Sequence, residues 1–145
     1  MGEAEDEFAR QDGDDAHELG RQHVTEAELY SLTGAGYVDL ARLDRRYAGI
    51  AVTRLRRALD LRGPVHARNR TLDLASLAEA YALAGEPEQA GTTALLALKN
   101  VPEVASVRLA HRLTETGRTL AAHRTGSTAV NTFLGRLRRT TAGPE

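Results

Sequence analysis

The stretch Leu74–Pro102, LASLAEAYALAGEPEQAGTTALLALKNVP, constrains this chain more than any other part of it. Leu74, Leu77, Ala78, Tyr81 and Ala82 recur three and four residues apart, so they stack on one side of a helix. Gly85 ends that helix, because glycine accepts the left-handed conformation that a C-terminal cap needs. Pro87 restarts it, since proline at a first helical position lacks only an N–H that had no partner. Ala90, Ala94, Ala97 and Leu98 form the returning stripe, and Pro102 closes the unit. No run of β-branched or aromatic residues alternates with period two anywhere in the chain, so an all-α fold is expected.

The same residues resemble a tetratricopeptide repeat, a unit of about 34 residues folded as an antiparallel helix pair. Leu74, Leu77, Tyr81, Gly85, Ala90, Ala97 and Pro102 stand at the offsets of that family's signature. Leu74 replaces the usual Trp, Ala78 the usual Gly and Ala94 the usual aromatic; Ala94 leaves a hole for a neighbouring helix to fill. Ala51, Leu55 and Ala58 resemble the second helix of a preceding, more degraded repeat. The distance from Ala58 to Ala97 is five residues more than the ideal period, which puts the excess in the Arg62–Asn69 connection or in a longer following helix. The resemblance implies a TPR-like α-solenoid of about three antiparallel helix pairs.

The other helices are read from caps and breaks. Thr25 and Glu28 have the spacing of a capping box, and Val24 with Leu29 that of a hydrophobic staple. Gly34 and Gly36 are expected to end this first helix early. A second helix is expected over about Tyr37–Tyr47, resting on Leu40, Leu43 and Tyr47, with a bend at Gly49. A third covers about Ile50–Leu61, with Val52, Leu55, Ala58 and Leu59 inward and Arg54, Arg56, Arg57 and Arg62 outward, stopped by Gly63-Pro64. After Pro102 a helix fits about Val104–His123, with Ala110, Leu113, Gly117 and Leu120 on its stripe. Ser127 can cap the last helix, whose Val130, Phe133, Leu134 and Leu137 make a single apolar face. Leu72–Ala84 is apolar nearly all round, as a helix packed on both sides should be. A one-sided final helix suits the end of a stack.

Charge divides the chain. Residues 1–18 hold eight acids and only Arg10 as a base, for −7, whereas the remainder carries +6. Residues 1–20 are read as an acidic disordered arm, 21–140 as the repeat domain and 141–145 as a disordered tail. The −7/+6 split further suggests that the arm docks on the basic body and competes with an acidic partner. With no cysteine there is no disulfide and no thiolate site. No signal peptide or membrane-length apolar run is visible, which leads to the expectation of a cytoplasmic protein without membrane contact.

The polar residues form no catalytic constellation in sequence. His17, His23, His66, His111 and His123 include no HExxH and no pair four apart on one helix; His17 and His23 beside Asp14, Asp15 and Glu18 read as a solvated tail before they read as a metal site. Ser31, Ser76, Ser106 and Ser127 lie in no GxSxG or SxxK context. Thr33-Gly34-Ala35-Gly36 follows no strand and lacks the lysine of a phosphate loop. The expectation is therefore no enzyme, no metal and no cofactor. Arginines cluster at Arg54, Arg56, Arg57 and Arg62, at Arg108, Arg112 and Arg118, and at Arg136, Arg138 and Arg139. They read as solvated faces whose stems cover apolar surface, and direct nucleic-acid binding is not expected.

In tetratricopeptide arrays the first helix of each pair lines a concave groove. By that resemblance Ser76 and Glu79 lie in the groove from one unit, and Arg108, His111, Arg112 and Glu115 from the next. The carboxylate clamp of some family members is not matched, because Ala75 and Glu79 occupy its positions. More widely, the run from Leu40 to Leu137 is similar to the C-terminal repeat halves of actinobacterial Xre-type transcriptional regulators. Those halves serve as sensor or oligomerisation domains behind a helix-turn-helix that is missing from this chain. The expected function is a non-catalytic protein- or peptide-binding module in bacterial regulation, with a homodimer compatible. The alternative is an effector-sensing or oligomerisation half of such a regulator.

Overall fold

The computed structural model describes residues 25–63, 67–101, 107–123 and 126–142, and among them the architecture is all-helical with no strand. The helices are α1 Glu26–Leu43, α2 Ala48–Arg62, α3 Ala67–Leu83, α4 Pro87–Lys99, α5 Val107–Ala122 and α6 Thr128–Ala142, with a 3₁₀ turn at Arg45–Tyr47 between α1 and α2. The acidic arm and the position of Val24 in the staple lie outside the described residues. So do residues 143–145 of the expected tail, whereas α6 extends through 141 and 142.

Helix α3 occupies the middle, packed against α1, α2, α4 and α5. Eleven of its 17 residues are buried, and many are alanines that let neighbours come close on several sides. This is the outcome expected of a segment apolar nearly all round. Around it α1 packs on α2, α4 on α6 and α5 on α6. The extra residues before Leu74 are helix, because α3 begins at Ala67 within the segment read as a connection.

The α3–α4 turn follows its sequence. Gly85 sits at φ +81°, its N–H donates to Ala82 O at 3.1 Å, and Glu86 N donates to Tyr81 O at 2.9 Å. These two bonds satisfy carbonyls that the helix end leaves open. Pro87 opens α4, whose Ala90, Ala94 and Ala97 are fully buried. At Gly91 the backbone of α6 comes so close that an added Cβ would stand 2.4 Å from Ala129 C and Val130 N. A stripe of small residues on α4 is thus met by an unusually close neighbour. The one-sided stripe of α6 is buried at Val130, Phe133 and Leu137, and Val130 N donates to Ser127 Oγ at the helix start. The Glu88 carboxylate of α4 accepts from the Ser127 hydroxyl and from Ala129 N, holding its own carboxyl below the usual Glu value.

The N-terminal region departs from expectation. Gly34 and Gly36 do not end a helix; α1 runs unbroken through both to Leu43. A Cβ on Gly34 would stand 2.7 Å from Leu55 Cγ, so this glycine sits in the helix because α2 packs directly over it. Its purpose is close approach, a use of glycine that sequence alone cannot distinguish from a break. Leu40 and Leu43 are exposed, and the core face of α1 is Ala27, Gly34, Val38 and Ala41. Asp44 ends α1 and accepts from Arg46 N at the 3₁₀ turn. Gly49 makes no bend, as α2 already begins at Ala48. Leu55, Ala58 and Leu59 are buried as read. Ala110 is exposed, and Leu109 joins Leu113 and Leu120 in the core instead.

Candidate functional site

Two carboxylates on α3 lie inside the protein. Glu79 is fully buried, and both its oxygens are used. Oε1 accepts from Arg42 Nη2 of α1 and from the Thr119 hydroxyl of α5 at 3.2 Å. Oε2 accepts from Arg112 Nη1 and from the Thr116 hydroxyl, 2.9 Å away, both on α5. Arg42 Nη1 also donates to Thr119 Oγ1 at 3.0 Å, and Arg112 Nη2 to Ser76 Oγ at 2.8 Å. One side chain of the central helix therefore ties together three helices, α1, α3 and α5.

Asp73, two i+3 steps earlier on α3, makes the second anchor. It accepts from Arg62 Nε at 2.5 Å and from the Ser31 hydroxyl at 2.6 Å, joining α2 and α1 to α3. Both the Arg62 and Asp73 side chains are buried. Arg62 was expected to point outward; it turns inward because a buried carboxylate without a cation would be strongly disfavoured. Among the described residues no buried side-chain nitrogen or oxygen lacks a hydrogen bond. A complete polar network of this kind fixes how the helices are set against one another.

Above the network lies an open cleft of about 500 Å³ between α1, α3 and α5. Ser76, Arg108, His111, Arg112 and Glu115 line it, five of the six residues assigned to a groove from sequence. The sixth, Glu79, lies beneath the floor, holding Arg112. Sequence reasoning missed the opposite wall, Glu28, Ser31, Leu32 and Ala35 of α1, as well as Arg62, Asn69, Leu72 and Asp73. Glu28, Ser31 and Leu32 fall in the first helix expected from the capping box at Thr25; what sequence did not show is that this helix packs beside α3 and faces α5 across the cleft.

The groups in the cleft differ in how free they are. Arg112 is held by Glu79 and Ser76, and His111 Nε2 lies 2.9 Å from Glu115 Oε1 on the exposed edge. Arg108 has no ion pair or hydrogen bond with a described residue. Ser76 Oγ accepts from the Arg112 guanidinium, a group of donors only. Among the described residues no group of three or more His, Asp or Glu side chains is arranged to hold a metal ion. No described helix is long and apolar enough to cross a membrane. Comparison with protein-family models, curated protein sequences and solved structures gives no significant match.

Proposed function

We propose that this chain is a non-catalytic binding module, a TPR-like stack of three antiparallel helix pairs (α1/α2, α3/α4, α5/α6) that takes a protein segment or peptide in the cleft between α1, α3 and α5. The observation that carries this reading is the cleft itself: about 500 Å³, open on one side, with its floor arginine already fixed by Glu79 and Ser76. A preset floor lowers the ordering cost of binding. Packing of α1 on α3, α3 on α5 and α4 on α6 supports the stacked order, with α1, α3 and α5 as the inner row. Arg108 and His111 on one wall and Glu28 on the other suit a segment carrying both acceptors and donors, and the reading requires no cofactor.

A peptide library selected on the wild-type chain alone, with the selected peptides then measured on Ser76→Tyr and Arg108→Ala, tests it. Ser76 is buried and its hydroxyl holds Arg112, so the helical circular dichroism of Ser76→Tyr is matched to the wild type before binding is compared, and Arg108→Ala supplies an independent change on the wall. Selected peptides should bind the wild type and lose roughly tenfold or more on Ser76→Tyr and on Arg108→Ala, as expected when a ligand's central contacts are removed. Selected peptides that bind all three proteins equally would place the binding surface elsewhere and end the proposal.

A further inference from the structure

Helix α1 carries a second apolar stripe, opposite its core face. Leu32, Gly36, Leu40 and Leu43 follow one another at four, four and three residues, the spacing of one helix face. Leu32 is 67 % exposed and Leu43 88 %. Single exposed leucines are ordinary, but several in register along one helix mark an interface. The other end of the molecule differs: outside its single apolar face, α6 presents Asn131, Arg136, Arg138 and Arg139. One end of the helical stack is finished with polar side chains and the other is left apolar.

Among the described residues no segment covers this stripe. Residues 1–24 hold four large apolar side chains, Met1, Phe8, Leu19 and Val24, and no two of them are three or four apart. In sequence this segment offers no apolar run with the length and spacing of the α1 stripe. A second α1 does. In an antiparallel crossing centred on Gly36, Leu32 of one copy faces Leu40 of the other, and Leu29 faces Leu43. A Cβ built on Gly36 meets nothing within 4 Å, so the centre of the stripe is open to a close-lying backbone. The same crossing sets the acidic first turn, Glu26 and Glu28, beside the other copy's exposed Arg46, which it would share with Asp44, and opposes the helix dipoles; Arg42 and Arg45 at that end are already held by Glu79 and by Leu83 O.

We propose that α1 is the contact between two copies of this chain, an isologous antiparallel helix pair crossing at Gly36. This interface stands apart from the peptide reading, although Leu32 also lies on the rim of the cleft. Sedimentation of the full chain across roughly 1–200 μM should show a dimer, and Leu40→Asp with Leu43→Asp should weaken it by roughly 100-fold or more, as befits the loss of two leucines from each copy. Both leucines are exposed in the single chain, so the helical circular dichroism of that variant should be unchanged. The chain has no cysteine, so Gly36→Cys reports the crossing directly. It should oxidise to a covalent dimer much faster than Asp60→Cys on the exposed face of α2. A wild-type monomer throughout, a dimer indifferent to the two aspartates, or equal oxidation of the two cysteine variants would each overturn the proposal.

Discussion

Replacing Glu79 by alanine removes the one carboxylate that faces two guanidinium groups and two hydroxyls. Breaking a buried ion pair by deleting one partner costs about 3–5 kcal/mol, because the remaining charge stays desolvated. Here the stranded cations are not fully enclosed: the Arg42 side chain is 39 % exposed and that of Arg112 23 %. Both can turn partly toward water, which places the expected loss in the lower half of that range, about 3–4 kcal/mol. Domains of this size have about 5–15 kcal/mol in total, so this is a large fraction. At about 3–5 °C per kcal/mol the melting temperature should fall by about 9–20 °C. Glu79→Gln should cost less, about 2 kcal/mol, since its carbonyl still accepts while its amide points donors at donors. Urea unfolding followed by circular dichroism measures both. A loss below about 1 kcal/mol for Glu79→Ala would refute the view that this carboxylate holds α1, α3 and α5 together.

Other perturbations separate packing from charge. Gly91→Ala must push α6 backbone aside, whereas the close contacts of Gly34→Ala are with the Leu55 side chain and the Leu55 backbone nitrogen is at ordinary contact distance, so thermal melts should show Gly91→Ala as the more damaging by about 1–3 kcal/mol. Gly85→Ala should lose about 1 kcal/mol from its positive φ alone, and equal stability with the wild type in urea would contradict the cap geometry. Glu88 has its carboxyl held low by the Ser127 hydroxyl and Ala129 N–H. Its contribution is therefore present above the ordinary Glu range and lost as pH falls through the folded-state value. The stability difference between wild type and Glu88→Gln should shrink on acidification and vanish at low pH. A pH-independent difference would count against the cap.

Much of the all-helical pattern was legible because helix spacing and stop signals agreed. Leu74–Ala82, Gly85, Pro87 and the alanines of α4 each carried local information, and the structure follows them. Ser127 was legible for the same reason. What failed were residues whose role depends on a distant neighbour. Gly34 reads as a break until Leu55 is seen lying over it. Arg62 reads as a surface charge until Asp73, eleven residues later, is found buried beside it. Asp73 and Glu79 sit in an alanine-rich helix where nothing in the periodicity announces that both carboxylates face inward. In the cleft, Ser76, Arg108, His111, Arg112 and Glu115 were picked out in sequence, while the α1 wall was not, because its position depends on packing between distant helices.

Native-state hydrogen exchange tests the organising role of α3 most directly, because it reports the stability of each helix separately. With α3 packed on four neighbours and tied to them through Asp73 and Glu79, its amides from Leu74 to Leu83 should exchange only by global unfolding and be the slowest in the protein. Exchange of those amides by local opening, at the rates of α1 or α6, would contradict it.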